Sequence, residues 1–146
     1  MNDKRIYSTL AMAGVTPFVA CAALPFAGFD TIESVGSMAE IAASYGLAIV
    51  SFLTGIHWAT QIYDRQQSSF NLLIVSNVIF VAVWLAFVLG SLDTALLTQS
   101  FALLALLGID RWLLSYGVIT PHYYGTRSVA TILAVVSLIV IVFAAT

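Results

Sequence analysis

His57 and Asp110 are the two side chains best placed in this sequence to hold or move a proton, because both stand inside long apolar stretches. A histidine within hydrogen-bond reach of a carboxylate can act as a base with an orienting partner. His57 follows Gly55-Ile56, and the glycine permits a neighbour to approach closely. The plainer role of a membrane histidine is a satisfied hydrogen bond between helices. Asp110 needs a donor inside the bundle, for which His57, Arg127 or a tyrosine are the candidates, and its plainer role is a structural ion pair. His57, Asp110 and His122 could bind a metal only if three separate helix ends converged, so no metal ligand is assigned. A single cysteine, Cys21, allows neither an intrachain disulfide nor a cysteine cluster. A glycine-rich phosphate loop, a nucleophile elbow and a His-Glu-x-x-His motif are all missing from the sequence, so no catalytic residue is assigned.

The remaining chemistry gathers at one end of the expected helices. His57, Trp58, Tyr63 and Arg65 lie at the end of one apolar stretch, Asp110, Arg111 and Trp112 at the end of another, and His122, Tyr124 and Arg127 at the start of a third. Cations and aromatics around one carboxylate suit an anionic or quinone-like headgroup entering from the lipid. They suit plain interfacial anchoring equally well. Nucleic acid has no basic surface to bind.

The elements that must position these groups are membrane helices. Of the 146 residues, 61% are hydrophobic and only 8% charged, against about 25% charged in a soluble domain; the mean hydropathy is +1.02. Five stretches match the ~20 residues that cross a hydrocarbon core: about 8–28, 38–60, 70–90, 94–116 and 128–145. The chain is expected to be one all-α transmembrane domain covering residues 1–146.

On the second stretch, Glu40, Ser44, Ser51, Thr54, Gly55, Trp58 and Gln61 share one helical stripe, flanked by His57. Ile41, Tyr45, Ile49, Phe52 and Ile56 fall opposite. Lipid cannot hydrogen-bond a polar stripe, so it is expected to face inward, toward other helices or a ligand. The first stretch, rich in alanine with Pro17 and Pro25, is expected near the middle of the bundle, and the fifth at its periphery. Asn77 is expected to bond across to another helix. Gln99 and Asp110 are eleven residues apart, close to three whole turns, and share a face. Residues 117–127 are expected to form the last loop.

If the spans alternate, Lys4, Arg5, Arg65 and Arg127 share one side, with Arg111 close to it, while Asp30, Glu33, Glu40 and Asp93 lie opposite. The positive-inside rule then puts the N-terminus in the cytoplasm and the C-terminus in the periplasm. Phe18-Val-Ala-Cys21 loosely resembles a lipoprotein cleavage site, but the residues after it stay apolar, favouring an uncleaved first span. No Arg- and Ser-rich transit segment precedes it, which favours a bacterial cytoplasmic (inner) membrane over an organelle.

Tyr45-Gly-Leu-Ala-Ile-Val-Ser-Phe-Leu-Thr-Gly-Ile-His-Trp58, with Gly14-Val-Thr-Pro-Phe18, Asp110 and Tyr124-Gly-Thr-Arg127 followed by Thr131, resembles a family. It is a domain-of-unknown-function family of small bacterial inner-membrane proteins, and the same resemblance extends to mitochondrial transmembrane protein 69. Thr54 stands where that family commonly has glycine, and Tyr123 where it has tryptophan. The resemblance implies a multi-pass membrane fold and brings no cofactor or activity.

The leading expectation is a non-enzymatic module that binds membrane lipid, a quinone headgroup or a partner membrane subunit at the cytoplasmic leaflet. Glu40, Ser51, Thr54, His57, Trp58, Asp110, Arg111, Tyr124 and Arg127 are its candidate contacts. A homo-oligomeric channel or proton-coupled transporter along the Glu40–Ser44–Ser51–Thr54–His57 track is the alternative. A lipid-modifying enzyme using His57 and Asp110 is the third reading.

Overall fold

A computed structural model describes residues 2–63 and 71–145. Arg65 and the start of the third predicted span lie outside the described residues. Helix α1 (Asp3–Ala23) passes through Pro17 and ends in a 3-10 turn (Leu24–Ala27), where Pro25 has no N–H to continue the helix. Gly28, at φ 88°, closes that turn in the left-handed region. Strands β1 (Thr31–Ile32) and β2 (Gly36–Ser37) pair antiparallel, a hairpin with two residues in each strand that the all-helical expectation lacked.

Helix α2 (Met38–Tyr63) follows, then α3 (Leu72–Leu89), α4 (Leu92–Ser115) and α5 (Pro121–Ala145). All five helices are long and apolar enough to cross a membrane. This is a helical, multi-pass membrane protein.

The helix starts obey local chemistry. Asn71 and Ser91 cap α3 and α4 by accepting from Leu73 N and Thr94 N. Ser37 and Glu40 form a capping box on α2: Ser37 Oγ accepts from Glu40 N at 3.2 Å, and Glu40 Oε2 accepts from Ser37 N at 2.8 Å.

Helix α5 begins earlier than expected, and residues 121–127 are not loop. Thr120 Oγ1 accepts from Tyr123 N and Thr120 O from Tyr124 N, so Pro121 takes the first helical position, where a missing N–H costs nothing. The correction matters, because it puts His122, Tyr124 and Arg127 on a helix.

The packing order also differs from expectation. Helix α4 buries ten described residues, whereas α1 buries only Val15, Phe18 and Cys21. Helix α5 packs between α1 and α4 through Ala130, Ala134, Ser137 and Leu138. Helix α1 is therefore peripheral, as is α3, which buries only Leu72, Ser76 and Val83 among its described residues. Tyr45 ties α1 to α2, its hydroxyl donating to Gly14 O at 2.8 Å and its ring meeting Phe18 edge-on at 5.0 Å.

Gln99 holds α4 against α2. Its Nε2 donates to Ala43 O at 2.7 Å, and its Oε1 lies where a Cβ on Gly46 would stand. Glycine at 46 is what lets the glutamine enter. At one end of the bundle Tyr7 stacks on Tyr123 at 5.0 Å and Ser8 Oγ lies 3.0 Å from His122 Nε2, which brings the starts of α1 and α5 together.

Candidate functional site

Helices α2, α4 and α5 each place one ionisable side chain at a single buried point. His57 Nε2 donates to Asp110 Oδ1 at 2.8 Å, and Arg127 Nε donates to Asp110 Oδ2 at 3.0 Å. Exposures are 2% for His57, 1% for Asp110 and 8% for Arg127. Each carboxylate oxygen thus receives one charged or polarised donor, the condition under which a carboxylate survives away from water. The donor that Asp110 required is two groups, His57 and Arg127. Because a carboxylate oxygen accepts, His57 Nε2 carries a proton, and Nδ1 is left buried with no partner among the described residues. Thr131, one turn beyond Arg127, likewise buries a hydroxyl with no partner among the described residues.

Arg111 and Trp58, next to this cluster in sequence, face outward. Arg111 is exposed at the end of α4, and its guanidinium carbon lies 6.0 Å from the centre of the Tyr124 ring. Adjacent positions on a helix diverge by about 100°, so Asp110 turns inward while Arg111 does not. Trp112 and Tyr116 form a tilted pair at 4.9 Å beside it. Lys4 and Arg5 lie exposed at the start of α1, which meets the start of α5 at this same end. Asp30, Glu33, Glu40 and Asp93 belong to the opposite end.

The polar stripe of α2 does not face inward as a whole. Ala39, Ala42, Ala43, Gly46, Val50, Leu53, Thr54 and His57 form the buried face, while Glu40, Ser44, Gly55 and Trp58 are exposed and Ser51 is half-buried. Two physical reasons account for the rotation. Small residues let helix backbones approach, and they define the packed face. The hydroxyls satisfy themselves locally: Ser44 donates to Ile41 O, Ser51 to Leu47 O and Thr54 to Ser51 O. The track from Glu40 to His57 is therefore not assembled in the interior.

Asn77 departs in a similar way. Its Nδ2 donates to Leu73 O on its own helix at 2.7 Å, and its side chain is exposed. His122 pairs with Ser8 rather than joining His57 and Asp110. Among the described residues no three His, Cys, Asp or Glu side chains group to hold a metal ion.

Sequence reasoning missed the Tyr45–Gly14 tie, because Tyr45 falls among isoleucines and phenylalanine on the lipid side of the stripe. Its hydroxyl was the available signal, since a buried phenol needs a partner.

No curated protein and no solved structure matches this chain. A family model described as "Protein of unknown function (DUF3429)" matches residues 4–143, nearly the whole chain. The match spans the capped helices, the His57–Asp110–Arg127 cluster and the Gln99–Gly46 contact alike, and the chain belongs to the DUF3429 family.

Proposed function

We propose that this protein is a non-enzymatic membrane module that binds an anionic lipid headgroup at its cytoplasmic end, with Arg111 and Tyr124 as the contact. The observation that carries the reading is the division of labour at two adjacent positions. Asp110 is fully engaged by His57 and Arg127, so the neighbouring Arg111 has no carboxylate partner among the described residues and stands at the rim, next to an aromatic ring. A guanidinium offers a planar fork that matches phosphate oxygens. Trp112, Tyr116 and Tyr124 supply the amphipathic rings that settle at headgroup depth.

Orientation and location follow the cations. Lys4, Arg5 and Arg111 at this end favour the cytoplasmic leaflet of a bacterial inner membrane, N-terminus inside. The His57–Asp110 pair has the distance that an acid–base enzyme would need, but it is sealed from outside and Arg127 occupies the second oxygen. That arrangement favours a clasp between three helices over a catalytic pair.

The test is the lipid that accompanies the protein. Gently purified protein is expected to carry phosphatidylglycerol or cardiolipin in excess of their share in the source membrane. Recovery in the same proportions as the membrane would overturn the reading. A stoichiometric quinone or a partner subunit in place of lipid would also overturn it, by identifying a different occupant.

A further inference from the structure

We propose that a groove between α2 and α3 is a second binding site, within the hydrocarbon region, for a lipid-phase molecule that carries a free hydroxyl on a ring. This proposal does not depend on the headgroup reading. The groove has a volume of about 300 Å³ and is open on one side; Ser51, Thr54 and Trp58 of α2 line it, with Ser76, Asn77 and Phe80 of α3. That volume stands at the lower end of ligand pockets, roughly 300–1,000 Å³. Asn77 is five residues into α3, about 8 Å from its start at 1.5 Å per residue, so the groove lies well inside the span.

The hydrogen-bonding inventory selects the ligand. Ser51, Thr54 and Ser76 all spend their hydroxyl hydrogens on carbonyls of their own helices. What their oxygens have left is acceptor capacity. Asn77 spends one amide N–H on Leu73 O, so its carbonyl oxygen and second N–H have no partner among the described residues. The groove thus offers acceptors on four side chains against two donors, the second Asn77 N–H and the Trp58 indole N–H, in a region where lipid supplies neither.

A hydroxyl answers both needs, donating to an oxygen of the groove while accepting from the Asn77 N–H. An ether or a quinone carbonyl can only accept, and leaves the groove oxygens unmatched. Trp58, 42% exposed, and the half-buried Phe80 provide aromatic walls for the ring that carries the hydroxyl.

The test uses the full-length protein in nanodiscs and three probes: a long-chain alkyl hydroquinone, its dimethyl ether and the corresponding quinone. Retention is read by native mass spectrometry. The hydroquinone is expected to be retained about tenfold better than either analogue, the worth of one hydrogen bond. Asn77→Leu is expected to abolish that preference, and Thr54→Val to reduce it. Asn77→Leu should keep the wild-type Tm, because among the described residues Asn77 bonds only within its own helix, while Thr54→Val keeps the shape of threonine and gives up its bond to Ser51 O. Equal retention of the three probes, a preference for the quinone, or a preference that survives Asn77→Leu would overturn the proposal. So would loss of a dimer on Asn77→Leu with no probe bound, since a second copy would then own the groove.

Discussion

His57 and Asp110, separated by 53 positions in the chain, meet at 2.8 Å in the interior of the bundle, and Arg127 completes the carboxylate from the other side. Three helices are joined through one residue. Removing Asp110 alone strands two buried groups, whereas removing both partners of its ion pair strands neither charge.

Asp110→Ala is therefore expected to cost about 3–5 kcal/mol, the range for breaking a buried pair from one side. Asp110→Leu combined with Arg127→Leu should cost less than the sum of the two single changes. Thermal unfolding in a fixed detergent measures all four variants. Simple additivity would show that the two side chains do not interact.

Gly46→Ala would put a Cβ into the space that Gln99 Oε1 holds. Overpacking of this kind costs about 1–3 kcal/mol. Gln99→Ala in the same chain should relieve the clash, so the double variant is expected to be more stable than additivity predicts. The same unfolding experiment reads the coupling.

At the start of α2 the two capping residues should differ. Ser37→Ala removes the hydroxyl that accepts from Glu40 N and is expected to cost about 1 kcal/mol. Glu40→Gln keeps the reach back to Ser37 N and should be nearly neutral, since glutamine serves equally in a capping box. A large loss on Glu40→Gln would mean that its charge acts elsewhere.

The membrane orientation has its own readout. Cys21 is buried at 4% exposure, so the wild-type chain should give little background with a membrane-impermeant maleimide. Glu33→Cys is expected to label in intact cells, and Lys4→Cys only after the membrane is permeabilised. The reverse pattern would invert the assignment of the leaflet.

The five helices were legible because lipid imposes long apolar runs that few other solvents demand. The need of Asp110 for a donor was legible too, since an intramembrane carboxylate has few ways to survive. The direction of the α2 stripe was not. Ser44, Ser51 and Thr54 read as polar, but each hydroxyl is bound to its own helix, and the close-packing residues Ala43 and Gly46 set the buried face instead. Pro121 obscured the start of α5, because a proline reads as a loop signal until its place at the first helical position is seen.

The most direct measurement compares anionic lipid bound by wild type and Arg111→Gln, both folded, in nanodiscs of mixed phosphatidylglycerol and phosphatidylcholine. The account predicts that Arg111→Gln keeps the wild-type Tm and loses the enrichment of phosphatidylglycerol in the retained lipid. Undiminished enrichment in Arg111→Gln would contradict it.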